Sequence, residues 1–179
     1  MSHNFLITGP PSIGKSTIVN KVVDDLKRRG LEAGGIYCPE IRENGIRKGF
    51  KIIDISSERS KTLAHEQFTQ GPKISKYKVN VQNIDYMSKE VLSKAIKKSD
   101  FIVIDEIAPM EVHSEIFKDQ TMKALESEKP LLAVIHQRSH SGFIGKVKRR
   151  SDIRIFEVNE KTRNYLPKKI KRMIRESLS

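Results

Sequence analysis

The sequence predicts a three-layer α/β fold with a mainly parallel β-sheet. Segments with strand and helix patterns alternate along the 179 residues. Two of the strand segments, FIVI at 101–104 and PLLAVI at 130–135, are apolar without alternation, which is typical of strands that helices cover on both faces. The length fits one domain on the usual scale of roughly 100–200 residues, so we expect a single domain over residues 1–179.

The composition excludes several classes of protein. Cys38 is the only cysteine, so the chain cannot be a scaffold held by internal disulfides. No apolar run approaches the roughly 20 residues that a membrane-spanning helix needs. The first residues also lack the basic region and the small-residue cleavage site of a signal peptide. We therefore expect a cytoplasmic protein with no membrane partner.

The first half of the chain predicts a strand, a loop, a helix and then a β-hairpin. Residues 3–8 (HNFLIT) are interpreted as a short buried strand that ends at a Gly-Pro-Pro turn, and residues 15–29 carry apolar side chains at helical spacing up to Gly30. Two extended segments within 34–56 flank Asn44-Gly45. This dipeptide supplies the positive φ angles of a type I′ turn, which predicts an inserted antiparallel hairpin.

The second half predicts further alternation. Residues 57–76 are interpreted as irregular, residues 77–81 as a short strand, and Asn83 as the cap of a helix over 84–98. The remaining pattern predicts strands over 101–104, 130–135 and 153–158, a helix over 114–127, and a C-terminal helix that opens at Asn159 and bends near Pro167.

A glycine-containing loop between the first strand and the first helix carries the strongest chemical signal. It matches G-x-x-x-x-G-K-[ST] with the residues Gly9, Pro10, Pro11, Ser12, Ile13, Gly14, Lys15 and Ser16. The backbone N–H groups of such a loop point at phosphate oxygens, and the helix N-terminus adds partial positive charge. Lys15 supplies a cation for the β- and γ-phosphates, the Ser16 hydroxyl can bind Mg²⁺, and Thr17 can contact the α-phosphate. The motif does not specify the base.

Asp105 and Glu106 follow the apolar strand at 101–104 directly. Ligands of parallel sheets lie at the carboxyl ends of the strands, so Asp105 is placed to reach a bound Mg²⁺. Glu106 could then polarise a water for in-line attack on a γ-phosphate.

Specificity for GTP is disfavoured, because no N/T-K-x-D segment follows a strand late in the chain; residues 136–143 read HQRSHSGF. The histidines at 113, 136 and 140 do not show the spacing of a metal site with acidic residues, and we interpret them as loop or surface residues.

Four segments resemble the nucleoside-triphosphatase family first described in hyperthermophiles, whose animal members are called cancer-related nucleoside-triphosphatase. They read GPPSIGKST, GGIYCPEIRENGIRKGFKIIDI, LAHEQFTQGPKISKYKVN and FIVIDEIAPMEVHSEIF. The first is generic to P-loop proteins. The hairpin sequence around Glu40–Arg42 and Arg47–Phe50, together with DEIxPME, is far more specific. The resemblance spans most of the chain and fades after about residue 160.

The resemblance implies a RecA-like P-loop fold and slow, Mg²⁺-dependent hydrolysis of nucleoside 5′-triphosphates (ATP, GTP, CTP and UTP) to diphosphates with little base preference. It assigns phosphate and Mg²⁺ contacts to Gly9, Gly14, Lys15, Ser16 and Thr17, a metal-associated role to Asp105, and water activation to Glu106. Two positions depart from the family. Ala108 stands where members usually have glycine, and Thr162-Arg163 stands where they tend to have Asn-Arg. Arg163 keeps the cation for a nucleotide contact.

A further cation could stabilise the transition state, since an arginine acting in cis can contribute about 10³–10⁵ in rate. Arg42 and Arg47 are the favoured candidates, because an inserted hairpin could fold over an open nucleotide cleft. Lys76 and the Arg149-Arg150 pair stay open as alternatives.

Two other functions stay open beside hydrolysis. A kinase could use the same loop to transfer the γ-phosphate to a nucleoside, nucleotide or nucleic-acid end. A nucleic-acid-binding module could use it as a switch, because the net charge is +12 and residues 146–179 carry twelve basic against four acidic residues. Nucleic acid is not the favoured partner, because aromatic residues are only 6% of the chain. The oligomeric state cannot be read from the sequence, and a monomer is the simplest expectation.

Overall fold

The computed structural model describes residues 3–179. Ten strands form one sheet: β1 (Asn4–Thr8), β2 (Ala33–Tyr37), β3 (Glu40–Glu43), β4 (Ile46–Asp54), β5 (Ser60–His65), β6 (Lys73–Ile74), β7 (Tyr77–Val79), β8 (Phe101–Ile107), β9 (Leu131–Ile135) and β10 (Ile153–Glu157). The α-helices are α1 (Lys15–Arg28), α2 (Val81–Met87), α3 (Ser93–Lys98), α4 (Glu115–Glu126), α5 (Gly142–Lys148) and α6 (Leu166–Leu178). A π-helical turn, Ser88–Leu92, joins α2 to α3, and a 3₁₀ turn, Glu111–His113, precedes α4.

The sheet has a parallel half and an antiparallel half. Its order is β10-β1-β9-β8-β2-β4-β5-β7-β6, with β3 paired to β4. The five strands from β10 to β2 are parallel, and all pairings from β4 onward are antiparallel. Because β1, β9 and β8 are neighbours, the loops after these strands emerge side by side at one edge of the sheet.

Helices cover the sheet on both faces, which confirms the three-layer α/β prediction. On one face α1 and α6 pack on strand residues such as Phe5, Ile7 and Val103. On the other face α2, α3, α4 and α5 pack on alternate residues such as Leu6, Ile102 and Ile104. Burial on both sides explains why β8 and β9 read as continuous apolar runs. Within residues 3–179 no helix combines the length and apolarity needed to cross a bilayer.

The inserted hairpin is confirmed. Asn44 and Gly45 have φ angles of 52° and 77°, the signs that a type I′ turn requires, and they connect β3 to β4. The prediction that residues 57–76 are irregular is wrong, because β5 and β6 lie there. Both are peripheral antiparallel strands with mostly polar, partly exposed residues, so they lack the apolar run that marks a buried strand.

Helix boundaries also differ from the sequence prediction. The α2 helix begins at Val81, and its cap is Asn80, whose side chain accepts a hydrogen bond from the backbone N–H of Asn83. Residues 160–165 form turns, and α6 begins only at Leu166 with Pro167 in its first turn. A proline at that position costs no hydrogen bond, so Pro167 starts the helix and does not bend it. The short helix α5 was not predicted.

Candidate active site

The loop between β1 and α1 has the backbone of a phosphate-binding turn. Gly9 leaves β1 so close to the chain after β10 that a Cβ atom there would lie 2.8 Å from the carbonyl oxygen of Val158. Gly14 has a φ of +110° and directly precedes α1, a conformation that favours glycine. Both motif glycines are therefore required by the geometry. Pro10 and Pro11 are exposed in the same loop.

The N-terminus of α1 carries no side-chain cap. Gly14 has no side chain to offer, and the first turn of this helix contains no acidic residue. An α-helix leaves its first backbone N–H groups without intrahelical partners, and those groups carry partial positive charge. The start of α1 is therefore suited to an anionic group such as a phosphate.

Lys15 places its ammonium against this loop. Its Nζ donates to the carbonyl oxygens of Gly9 at 2.5 Å and Pro10 at 3.3 Å. The charge of Lys15 also acts to lower the pKa of Asp105 and Glu106. The predicted phosphate cation and the predicted acidic pair thus belong to one electrostatic site.

Ser16 and Asp105 meet directly. The Ser16 hydroxyl donates to Oδ2 of Asp105 at 2.9 Å. Asp105 is only 8% exposed, and burial raises its pKa to about 6 against the opposing effects of the Ser16 hydrogen bond and Lys15. The structure therefore brings together the two side chains that the sequence predicts as the Mg²⁺ site.

Glu106 is the next residue and lies at the same edge of the sheet. The pKa of Glu106 is raised to about 7, mainly by burial and to a smaller extent by the negative charge of Asp105. The positive charge of Lys15 opposes this rise. The peptide bond between Asp105 and Glu106 is cis. A carboxyl group with a pKa near neutrality is matched to accepting and releasing a proton at physiological pH.

Buried Glu111 and partly buried Cys38 lie near the acidic pair, and the sequence reasoning gave neither of them a role. Glu111 is 3% exposed, and burial, followed by the charge of Glu106, raises its pKa well above the ordinary value. The Cys38 backbone N–H donates to the Asp105 carbonyl oxygen at 2.7 Å. The signal was present in the sequence, because Glu111 is the third acidic residue of the DEIxPME segment, after Asp105 and Glu106.

His136 lies in the loop that follows β9, as predicted, and it also approaches this region. It follows β9, which lies between β1 and β8, and its backbone N–H donates to the Ile107 carbonyl oxygen at 3.0 Å. Burial, followed by the charges of Lys148 and Lys15, lowers the pKa of its imidazole. The signal missed was its position, because His136 directly follows an apolar run, as Asp105 does.

The structure does not bring Arg42 or Arg47 to the phosphate loop. Arg42 bonds Glu40 at 2.7 Å and the Gly45 carbonyl oxygen at 2.8 Å. Arg47 donates to the Tyr77 hydroxyl at 2.8 Å, pairs with Glu40 at 3.2 Å and stacks on Phe50. These contacts hold the hairpin together, and a catalytic role for either arginine stays a prediction. The alternative Lys76 pairs with Glu66 at 3.3 Å.

Arg163 lies beside the phosphate loop, in a cavity of about 430 Å³. This cavity is also lined by Gly14, Thr17, Lys21 and Asn164. Asn164, the residue after Arg163, therefore places an amide-bearing residue at this cavity. The cavity adjoins the start of α1, where the rest of a nucleotide would extend from its phosphates.

The donor set at Ser16 and Asp105 fits Mg²⁺. A hydroxyl and a carboxylate are hard oxygen ligands, and Mg²⁺ is usually held by only one or two protein oxygens together with phosphates and waters. The two oxygens lie 2.9 Å apart, which is close enough for both to bind the same metal ion.

Comparison with known proteins agrees with this site. A family model described as NTPase matches residues 4–171. The chain belongs to the NTPase family. It is 40% identical over 174 residues to nucleoside-triphosphatase THEP1 of Thermofilum pendens, covering 97% of this chain and 96% of the relative. The corresponding protein of Methanopyrus kandleri is 38% identical over 171 residues, with 95% and 94% covered.

Solved structures of this NTPase family have the same fold. The crystal structure of THEP1 from Aquifex aeolicus matches with a TM-score of 0.82 and 27% identity, over 93% of this chain and 96% of that one. The solution structure of a human cancer-related nucleoside triphosphatase matches with a TM-score of 0.79 and 22% identity, over 97% and 98%. These matches confirm the family resemblance and the P-loop fold class.

The substitution at Ala108 is accommodated in this member of the family. Among the described residues, those other than glycine with positive φ are Ser12, Asn44, Glu58 and Ser75. Ala108 therefore has an ordinary backbone conformation, and its methyl group is 8% exposed within the core. The loop after the acidic pair does not need a glycine here.

Proposed function

We propose that the protein hydrolyses nucleoside 5′-triphosphates to nucleoside diphosphate and phosphate, in a Mg²⁺-dependent reaction with low base specificity. The single observation that carries this proposal is the contact between Ser16 and Asp105 beside Lys15 and Glu106. The family membership supports the reaction class, because the relatives are named nucleoside-triphosphatases. We propose that residues 1–179 act as one cytoplasmic domain and as a monomer.

The phosphate chain would bind along the loop from Gly9 to Thr17. Backbone N–H groups at the start of α1 donate to its oxygens, and the Lys15 ammonium binds the β- and γ-phosphates. Ser16 and Asp105 would hold the Mg²⁺, which neutralises phosphate charge when bound. The protein thereby lowers the repulsion that a nucleophile meets at the γ-phosphorus.

Glu106 is the residue best placed to handle the proton of the attacking water. The water oxygen forms the new bond to the γ-phosphorus, the bond to the bridging oxygen of the β-phosphate breaks, and the water proton passes to the Glu106 carboxylate. Glu111 is buried near Glu106, and burial raises the pKa of its carboxyl group well above the usual value. We propose that it keeps Glu106 in place without itself contacting the substrate.

Low base specificity is supported by the cavity beside the loop. Its described lining residues include Lys21 and Arg163 but no aspartate or glutamate. Guanine is usually recognised through a carboxylate that accepts hydrogen bonds from its N–H groups, and the adenine edge likewise needs a paired donor and acceptor. A cavity whose charged lining residues, Lys21 and Arg163, are both cations favours contacts to ribose and phosphate, which all nucleotides share.

The kinase alternative is less well supported. The basic segment that could act as a lid over a second substrate contains Arg149 and Arg150. Arg150 forms a two-bond pair with Asp152 at 2.8 and 2.6 Å, and Arg149 donates to the His140 carbonyl oxygen at 3.3 Å. Both guanidinium groups are therefore engaged within the protein.

The deciding experiment measures phosphate release from ATP, GTP, CTP and UTP, with Mg²⁺ or with EDTA, and with or without nucleoside and nucleotide acceptors. Hydrolysis predicts release of phosphate from all four nucleotides without an acceptor and only with the metal. Transfer of the γ-phosphate only when an acceptor is present would establish the kinase. Activity with GTP alone would refute low base specificity.

A further inference from the structure

A basic groove lies beside α6, and the proposed hydrolysis does not use it. Its volume is about 560 Å³. The basic groove is lined by Tyr165 and by six cationic residues, Arg29, Lys168, Lys169, Lys171, Arg172 and Arg175. It starts next to Arg163 and Asn164 at the nucleotide cavity and reaches Arg29, just beyond the far end of α1. The 14-residue helix α1 is roughly 20 Å long at 1.5 Å per residue, so the groove leads well away from the phosphate loop.

The positive charge of the basic groove is only partly neutralised within the protein. Lys171 lies 3.5 Å from Asp25, and Arg172 lies 4.0 Å from Glu176. The Lys169 ammonium lies over the ring of Phe156. Within residues 3–179, no carboxylate lies within ion-pair distance of the remaining three lining cations, Arg29, Lys168 and Arg175. An anionic ligand would therefore meet cations that are not already committed to partners.

Two of the cation pairs on α6 work against the stability of the helix. Lys168 and Arg172 are four residues apart, as are Lys171 and Arg175, and like charges at this spacing repel on a helix. The helix is held instead by its other face, which buries Leu166, Ile170 and Ile174. A row of bound phosphates would relieve the repulsion between the cations.

The surroundings of the basic groove favour a strand of nucleotides over a membrane. A helix that binds at a lipid surface needs an apolar face to insert, whereas the apolar face of α6 is packed against α1 and the sheet. Tyr165 is 51% exposed at the start of α6. An exposed aromatic ring next to a cationic groove can stack on a base only if that base is unpaired.

We infer that the basic groove binds single-stranded nucleic acid, with the cations on the phosphates and Tyr165 stacked on a base. The binding is separate from the proposed hydrolysis, since none of the groove residues belongs to the phosphate loop or the acidic pair. Contacts to four or five phosphates predict a slope of about −3 in log K against log salt concentration, at roughly −0.7 per phosphate for single strands.

The test is fluorescence anisotropy with a labelled 20-nucleotide oligouridylate and oligothymidylate at several salt concentrations. The groove variant carries Arg29→Gln, Lys168→Gln and Arg175→Gln. The control variant carries Lys94→Gln, Lys97→Gln and Lys98→Gln, three exposed lysines of α3 on the opposite face of the sheet, and so loses the same charge. We expect the groove variant to bind at least about tenfold more weakly with a slope reduced by about 2, and the control to stay within about twofold of the wild type.

Two further arms separate this binding from the nucleotide site. Tyr165→Ala should weaken oligonucleotide binding without changing the salt slope. Lys15→Ala should leave oligonucleotide binding unchanged. Saturating ATP should not displace the oligonucleotide from the wild-type protein. If the groove and control variants lose the same oligonucleotide affinity, the binding depends on net charge alone and the proposal is overturned. The absence of wild-type binding at 50 mM salt, or tighter binding to duplex DNA or to vesicles of anionic lipid, would also overturn it.

Discussion

Ser16 and Asp105 are joined by a hydrogen bond of 2.9 Å, although a third strand, β9, separates the strands that lead to them. The first turn of α1 and the end of β8 therefore meet across the end of β9. This contact marks the proposed Mg²⁺ site, where one of the two protein oxygens would come from the Asp105 carboxylate.

Replacing that carboxylate should change the metal dependence. We expect Asp105→Asn to raise the Mg²⁺ concentration for half-maximal phosphate release by about 10–100-fold. Nucleotide binding should persist, because Lys15 and the loop amides are unchanged. The measurement is a Mg²⁺ titration of activity, with Asp24→Asn at an exposed position as the control. An unchanged Mg²⁺ requirement would remove Asp105 from the metal site.

Nucleotide binding should depend on Lys15, and turnover should depend on Glu106. Lys15→Ala should abolish measurable nucleotide binding, because the cation for the β- and γ-phosphates is lost. Glu106→Gln should bind nucleotide with near wild-type affinity but turn over about 10²–10⁴-fold more slowly, the usual contribution of a general base. Calorimetry measures binding and phosphate release measures turnover, with Glu160→Gln as an exposed control. Equal loss of binding in both variants would show that Glu106 does not act in the chemical step.

The cavity beside the loop should govern affinity and not turnover. We expect Arg163→Ala and Asn164→Ala to raise KM by about 3–30-fold with kcat nearly unchanged, since contacts made equally in the ground and transition states alter KM alone. The increase should be similar for ATP, GTP, CTP and UTP. A variant whose KM rises for only one base would identify a base-reading residue and contradict low specificity.

Arg47 should contribute more than Arg42 to the free energy of unfolding. Arg47 bonds the hydroxyl of buried Tyr77 and stacks on Phe50, so we expect Arg47→Gln to lower the free energy of unfolding by about 1–2 kcal/mol. Arg42 makes exposed contacts only, and Arg42→Gln should cost less than about 0.5 kcal/mol. Urea denaturation measures both. If either variant folds but turns over about a thousandfold more slowly than the wild type, that arginine is the transition-state cation.

A pH-dependent difference in stability should follow from Arg150 and Asp152. Hydrogen bonds from Arg150 lower the pKa of Asp152 below its ordinary value. Because the folded-state pKa lies below the unfolded one, the stabilisation is complete above an unfolded pKa of about 3.9 and is lost as the pH falls through the folded value. We expect Asp152→Asn to lower the free energy of unfolding by roughly 0.5–1 kcal/mol at pH 7.

That difference should shrink below about pH 4, where the wild-type carboxylate becomes protonated. Denaturant unfolding of both proteins across pH 3–8 measures it. A difference that stays constant down to pH 3 would mean that the ion pair is not its source.

The parts of the fold that the sequence predicted are those specified by local signals. The Asn44-Gly45 turn and the uniformly apolar strand β8 each follow from a few adjacent residues. The strand β5 was missed because its identity depends on pairing with β4, a contact that a short polar sequence does not reveal. The order of strands likewise depends on packing between distant segments.

The same distinction applies to the site. Lys15, Ser16 and Asp105 were predictable because motif and strand position fix them. Glu111 and His136 approach the site only because other elements turn back toward it, the first after a short turn and the second from a separate strand. Their roles depend on neighbours that are distant in sequence, so residue type alone did not identify them.

The position of β9 between β1 and β8 has a consequence for how a bound nucleotide affects the molecule. A ligand that contacts the ends of all three strands binds only when these strands are paired, so it stabilises the centre of the sheet. Slowed amide hydrogen exchange on nucleotide addition should therefore concentrate in β1, β8 and β9 and leave the β3–β4 hairpin open to local unfolding. The centre of the sheet would then be rigid in the nucleotide complex, and the β3–β4 hairpin would stay more flexible.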